Sequence, residues 1–427
     1  MLFKCMPGLE RLYHYNRTNF PRDLLAGIVV AILFIPQSMA YASIAGVPLV
    51  IGLYAATVPL MIYALFGSCK HLSVGPVSIV SLLAFTGVSS IAPAHSNQFL
   101  ELMLMLGLMV GCMLLLMGLF KTGFLFDYIS PTVITGFTSA VAIIIALNQI
   151  KVLLGLSLPP YHDAVSYVLV LISNIPEANV DTAVIGLSSL CFLLLLKKVV
   201  PTFAPLFVII LAITGVHYLN LEQTGVAVVG AIPSGLPALT INLPSVDTLF
   251  MLLPIAGTIA FVAFLESYAV AKTMNAKEKE KLDTNQELVG LGLANISSSF
   301  VGSIPVAGAL SRTAVNDQAG ARTNLSLLIT AFFIIVTLVY LTPLFYSLPT
   351  ATLAAIIILA VAKLVHLNKV PQLMRTSPID AFILLVTFFA TLMIDVFLGL
   401  LAGIGLSIFI SFFKRVLASS TKRIPFK

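Results

Sequence analysis

One arginine, Arg312, falls inside an apolar region of the chain, in the run GALSRTAV. If that region lies in lipid, its charge costs on the order of 2.5–3.5 kcal/mol even on the lenient insertion scale, so something must compensate it. The Gly/Pro break ahead of it, SIPVAGA, leaves the backbone N–H groups of a short helix start free, and they carry the positive end of the helix dipole. Guanidinium, N–H donors and the Ser311 hydroxyl would together address one negative guest. The competing reading is a structural pair with a fixed carboxylate, or a side chain snorkelling to the cytoplasmic face.

A second start of the same kind is Gly75-Pro76-Val77-Ser78. Proline there removes no needed donor, because first-turn N–H groups have no intrahelical partner. Two opposed helix starts attract an anion without a fixed countercharge. Glu266, in AFVAFLESYAVAK, is read as the carboxylate well inside a span. Burial works against its charge and a neighbouring cation works for it, so it suits either proton coupling, a bound Na⁺, or a fixed partnership with Arg312. Gln37 and Tyr41, four apart in ILFIPQSMAYASIAG after Pro36, share a helix face; they line the same cavity or bond neighbouring helices.

The elements that must position these groups are membrane helices. The 427 residues are 59% hydrophobic and 9% charged, too little charge to coat a soluble globule, in which about a quarter of residues carry it. Apolar runs predict helices near 22–45, 47–66, 75–90, 99–120, 131–150, 181–200 and 203–219. A second set follows near 247–273, 286–301, 308–320, 325–343, 349–365, 378–394 and 396–417. The expectation is an all-α polytopic membrane protein of 14 transmembrane helices in two halves. Residues 1–20 form a cytoplasmic N-terminal segment without signal-peptide character. Residues 21–420 form the transmembrane domain, with a first repeat at about 21–220 and a second at about 247–418, and 421–427 form a cytoplasmic tail. The segments His71 to Ser90 and Ser303 to Gly320 are each the third helix of a half, polar and interrupted, which is the sign of an inverted repeat with its binding site where half-helices 3 and 10 begin. The competing reading is a packed or re-entrant helix without cargo.

The net charge of +6 is a topology signal rather than a nucleic-acid footprint. With the N-terminus in the cytoplasm, basic residues from Arg11 and Arg17 through Lys70, Lys197, Lys198, Lys272 to Lys281, Arg375, Lys414 and Arg415 lie on the cytoplasmic side, joined by Lys422, Arg423 and Lys427. Lys151 alone sits opposite. The termini are therefore both cytoplasmic in a multi-pass cell (inner or plasma) membrane protein. Cys5, Cys69, Cys112 and Cys191 have no metal or redox spacing. His14, His71, His95, His162, His217 and His366 form no ligand pair at helical spacing and are read as interfacial. The run Lys272 to Glu287 is read as a solvated connector, Ala164 to Asn174 as an excursion resting on the membrane surface, and Gly399, Gly403 and Gly405 as close-packing positions.

Several long runs resemble the SulP (sulfate permease) family of anion transporters: PRDLLAGIVVAILFIPQSMAYASIAGVPLVIGLYAATVP, FGSCKHLSVGPVSIVSLL, PTVITGFTSAVAIIIALNQIK and TNQELVGLGLANISSSFVGSIPVAGALSRTAVN. They occur in the family's order and cover essentially the whole chain. The resemblance implies a 7+7 inverted repeat divided into core and gate domains that move as an elevator, and a homodimer. It implies an anion held between the third and tenth helices, on Gln37, Tyr41, Val77, Ser78, Ser311 and Arg312, with Glu266 in cation coupling. Family members carry a cytoplasmic STAS domain after the last membrane helix, whereas this chain ends at KRVLASSTKRIPFK, which leaves STAS contacts and regulation open.

The resulting expectation is a secondary transporter of a small anion of the sulfate, bicarbonate or carboxylate class, without cofactor, coupled to H⁺ or Na⁺. The alternatives are a chloride-type anion channel or uncoupled exchanger of the same fold. A nucleobase/cation symporter is disfavoured by Arg312, since those proteins place acidic side chains near the purine. No activated nucleophile, metal cluster or phosphate loop supports an enzyme, and no metal site is expected.

Overall fold

The computed structural model describes residues 6–94, 96–128, 130–158, 161, 163–200, 203–233, 235 and 246–421. Cys5, His95, His162, Lys422, Arg423 and Lys427, considered above, lie outside them, as do residues 1–5 of the expected N-terminal segment and 422–427 of the expected tail.

The described elements, in chain order, begin with α1 (Pro7–Tyr13), α2 (Phe20–Ile44), α3 (Leu49–Ala55), α4 (Val58–Phe66), β1 (Val74–Gly75), α5 (Ser78–Ser89) and α6 (Asn97–Leu119). There follow α7 (Pro131–Leu153), α8 (Ala164–Asn174), α9 (Val180–Val199), α10 (Ala204–Leu219), α11 (Val246–Lys277) and α12 (Thr284–Phe300). The last are β2 (Ala307–Gly308), α13 (Leu310–Gln318), α14 (Leu325–Val336), α15 (Thr350–Ala362), α16 (Val370–Thr376), α17 (Pro378–Met393) and α18 (Val396–Thr421). Among the described residues, eight helical spans of at least 18 residues are long and apolar enough to cross a membrane. Together with exposed Val184, Leu187, Leu194 and Leu195 on α9, they identify a multi-pass membrane protein whose outer faces are suited to lipid.

The chain packs as two compact units. The first comprises Met1–Gly123, Gln149–Ser157 and Glu177–Leu359; the second comprises Phe124–Asn148, Leu158–Pro176 and Ala360–Lys427. Within the second, α17 and α18 approach closely because Gly399 and Gly403 lack side chains: a Cβ on either would lie 2.3 and 2.2 Å from the hydroxyl oxygens of Thr391 and Thr387. A Cβ at Gly405 would meet no atom within 4 Å among the described residues.

The first unit contains a two-strand crossover. β1 and β2 pair antiparallel, Val74 with Gly308 and Gly75 with Ala307. Each two-residue strand leads within two residues into a short helix, α5 or α13. At 1.5 Å per residue these helices are about 18 and 14 Å long, well short of the ~30 Å hydrocarbon core. The pairing holds the α5 and α13 starts near each other.

The surroundings explain why the crossover holds its shape. Asn295 of α12 is fully buried and brackets Val306, accepting from its N–H at 2.8 Å and donating to its carbonyl at 2.9 Å. Thr313 Oγ1 accepts from the Ser73 N–H at 3.0 Å, and Ala309 N–H donates to the Ser73 carbonyl at 3.1 Å. Ser267 of α11 accepts from Gly308 N–H at 2.8 Å. These bonds satisfy strand edges that lipid or a dry interior would leave unpaired.

Two expectations change here. The polar run Lys272 to Glu287 is not a uniformly solvated connector, since α11 continues to Lys277 and Glu278 and Glu280 pair with Lys70 at 2.9 and 3.0 Å. Glu287 is fully buried. The hydropathy of residues 47–66 hides a break between α3 and α4, where Thr57 and Pro59 interrupt the helix and Thr57 Oγ1 donates to the Tyr54 carbonyl at 2.7 Å.

Candidate functional site

Arg312 occupies the first turn of α13 and is fully buried. Its guanidinium donates to the Pro76 carbonyl at 3.0 Å and reaches Ser73 Oγ and the Ser73 carbonyl at 3.4 and 3.5 Å. It also lies over the Phe34 ring, 4.0 Å from the centroid. All these partners are neutral. Among the described residues Arg312 makes no ion pair within 4.0 Å, so its charge is oriented but not cancelled.

The helix starts beside it have no side-chain caps. Val77 and Ala309, the cap positions of α5 and α13, are extended, and neither contributes a capping hydrogen bond. The α5 start is buried, with Val77 3% and Ser78 6% exposed, whereas at α13 the cap residue Ala309 is buried and Leu310 beside it is 51% exposed. A buried helix end needs partners for its first N–H groups, and an anion is the ligand that such an end accepts best.

α2 forms the facing wall. Phe34 contacts Arg312, and Gln37 and Tyr41, three and seven residues on, share its helix face. Both are 6% exposed, and Gln37 Oε1 is buried without a hydrogen-bond partner. Glu266 approaches from α11, one residue before the Ser267 that holds Gly308. Tyr41, Glu266 and Arg312 lie within electrostatic reach of one another, and Glu266 Oε2 is buried without a hydrogen-bond partner. The structure therefore brings Tyr41, Val77, Ser78, Glu266 and Arg312 to one locality, with Gln37 on the same α2 face and half-buried Ser311 adjacent to Arg312 in the chain.

The arrangement is a niche of two uncapped helix starts beside a buried guanidinium, with the Glu266 carboxylate within electrostatic reach. Its first-turn N–H groups and hydroxyls are donors of the kind that suit a small anion. A separate cleft of about 330 Å³, lined by residues including Ile28, Ile32, Ile35, Leu206, Ile210 and Phe333, is almost wholly apolar and cannot hold an anion.

Residues 20–387 match the model of the sulfate permease family. The chain belongs to the sulfate permease family. It is 39% identical over 417 residues to the chloroplastic sulfate transporter 4.1 of Arabidopsis thaliana, an alignment covering 95% of this chain and 60% of the relative. It is 33% identical over 403 residues to a probable sulfate transporter of Mycobacterium tuberculosis, covering 94% of this chain and 72% of that protein. The chain thus spans about three fifths of the length of its Arabidopsis relative. Its fold is similar to that of the murine Solute Carrier 26 family member A9 anion transporter in the inward-facing state, with a TM-score of 0.90 at 25% identity over 96% of this chain and 72% of the other. It is also similar to the transmembrane domain of the cyanobacterium bicarbonate transporter BicA, with a TM-score of 0.78 at 23% identity over 91% and 98%. The named members of this family are transporters, not enzymes.

Sequence reasoning missed the residues that build the niche without addressing a guest: Phe34, Ser73, Ser267, Asn295 and Thr313. Phe34 was the most accessible of these, because it falls on the Gln37 and Tyr41 face at helical spacing. The serines and Thr313 carry no local signal, since their partners lie from 41 to 240 residues away in the chain.

Proposed function

We propose that this chain is a secondary active transporter of a small anion of the sulfate, bicarbonate or carboxylate class, with sulfate the first to test because relatives on both alignments are named for it. The observation that carries the reading is the pair of uncapped helix starts, α5 and α13, tied together at their strands and backed by a guanidinium whose hydrogen-bond partners are all neutral. In this reading α5 and α13 are the half-helices 3 and 10 of a 7+7 inverted repeat, and the anion binds where they begin.

The anion accepts from first-turn N–H groups and from Ser78 and Ser311, with Val77, Gln37 and Tyr41 forming the wall. Arg312 supplies the long-range attraction and braces the crossover through Pro76 and Ser73. Glu266 carries the coupling ion, a proton or Na⁺: its unpartnered oxygen can take either, and the added positive charge favours anion entry at the same site. Movement follows elevator-type alternating access between core and gate domains in a homodimer. The protein resides in the cell (inner or plasma) membrane with cytoplasmic termini, as its basic residues favour.

Uptake of radiolabelled sulfate into liposomes containing the purified chain tests the reading, with bicarbonate, chloride, nitrate and dicarboxylates as competitors and with pH and Na⁺ gradients imposed in turn. Saturable uptake that a cation gradient accelerates is expected. Flux that neither saturates nor responds to the gradient would place the protein with anion channels or uncoupled exchangers instead.

A further inference from the structure

Away from the niche, His71, Glu278 and Asp317 each place a ligand atom within 4.8 Å of the other two. They come from three separate elements: the loop before β1, the residue after α11, and the last turn of α13. His71 is 1% exposed, yet neither of its ring nitrogens has a hydrogen-bond partner. A buried polar group left unsatisfied is costly, which marks the imidazole as awaiting a partner. Its Nε2 faces Glu278 Oε1 at 3.6 Å.

The carboxylates are pre-oriented. Lys70 Nζ holds Glu278 by its other oxygen, Oε2, at 2.9 Å. Lys277 Nζ holds Asp317 Oδ2 at 2.6 Å. Each lysine thus fixes one oxygen and leaves the carboxylate's remaining lone pairs for another partner, as outer-shell groups do around metal ligands. Asn316 Nδ2 donates to the His71 carbonyl at 3.1 Å, which fixes the backbone that carries the imidazole. Burial, and then the adjacent Lys70 charge, lower the pKa of His71.

We propose that His71, Glu278 and Asp317 form a binding site for a first-row divalent metal ion of the zinc class. One imidazole and two carboxylates are a ligand set for Zn²⁺ and its neighbours, whereas Ca²⁺ and Mg²⁺ take oxygen ligands. Bonds of about 2.0–2.2 Å in a tetrahedral site put ligand atoms roughly 3.3–3.6 Å apart. The His71–Glu278 separation of 3.6 Å already meets this, and Asp317, within 4.8 Å of both, needs to close by at most about 1.2–1.5 Å. Water completes the fourth position. The ion would join the ends of α11 and α13 to the loop feeding β1, the three segments that carry Glu266, Arg312 and the Val77-Ser78 start. It would act as a clamp on the niche's support while touching none of its donors.

The test uses the purified full chain in detergent, with zinc alone and cobalt(II) alone as probes, and does not depend on the transported anion. Cobalt(II) should give the intense visible absorption of a four-coordinate site, which zinc displaces, and zinc should raise the thermal unfolding midpoint. His71→Ala should weaken zinc binding more than about tenfold and abolish the cobalt spectrum. Exposed His217→Ala should change neither. Glu278→Gln and Asp317→Asn, which keep side-chain size, should each weaken binding as well and carry the test should His71→Ala fail to fold. Binding unaltered in these variants, or a chain that shows no cobalt spectrum, would overturn the proposal.

Discussion

The guanidinium of Arg312 lies over the ring of Phe34, 4.0 Å from its centroid, while the same group donates to the Pro76 carbonyl from α13 across to the start of α5. The arginine therefore binds the two helix starts together through neutral partners and keeps its charge for use. Arg312→Ala should lower apparent anion affinity in liposome uptake by more than about tenfold, and Arg312→Lys, which keeps charge but loses the planar fork, should fall between it and the wild type. Phe34→Leu removes a contact worth about 0.5–2 kcal/mol, so KM should rise between about twofold and thirtyfold with the fold retained. Equal KM for all three variants would show that the guest binds elsewhere.

Phe34 also explains a glycine. A Cβ on Gly75 would stand 2.2 Å from the Phe34 Cζ, and β1 is fixed on its other edge by β2, so neither side has room to give. Gly75→Ala should destabilise the protein by about 1–3 kcal/mol and lower its thermal unfolding midpoint in detergent. Adding Phe34→Leu should recover part of the loss, a coupling that two independent sites would not show. Strictly additive midpoints would refute the contact.

How much of this could be read from the chain follows from the range of each interaction. Arg312, Glu266 and the Gly75-Pro76-Val77-Ser78 start stood out because a charge or a helix breaker in an apolar run is locally anomalous. The pairing of Val74 with Gly308 was legible only as symmetry between two interrupted segments, because no local propensity encodes a two-residue strand. The use of Arg312 as a brace was not legible at all: its acceptors are backbone carbonyls, and every residue type provides one. His71 read as an interfacial histidine because its partners, Glu278 and Asp317, are more than 200 residues distant in sequence. Buried Glu287 was concealed by its place at the end of a charged run.

Glu266 should separate transport from coupling. Its Oε2 lacks a hydrogen-bond partner and it forms no ion pair within 4.0 Å among the described residues, so a neutral amide of the same size has little to disrupt. Glu266→Gln should leave sulfate uptake measurable while flattening its dependence on external pH, or on Na⁺ if that is the coupling ion. Uptake measured across both gradients in wild type and variant decides the matter. A variant that retains the full gradient response would remove Glu266 from the coupling role.

Glu287 and Asn295 make α12 the anchor of the whole crossover. Glu287 is fully buried and accepts from Tyr63 Oη, from Ser68 N–H and Oγ at 3.0 and 2.7 Å, and from Cys69 N–H at 3.3 Å, which grips the loop entering β1. Asn295, eight residues on and about 12 Å along the same helix face, grips Val306 at the entry to β2. One helix thus sets the spacing of both strands, and through them the distance between the α5 and α13 starts. Glu287→Gln puts an amide NH₂ where an oxygen must accept, so at least one buried donor loses its partner and stability should fall by at least about 2 kcal/mol. Asn295→Leu breaks the bracket nearer the niche. The two variants should therefore differ in kind. Both lower the unfolding midpoint, but in the folded fraction Asn295→Leu should also raise the KM for sulfate several-fold, while Glu287→Gln, acting farther down the loop, should leave it within about twofold. An equal rise in KM for both would mean that α12 acts as a rigid unit, and that strand spacing is not set locally at Val306.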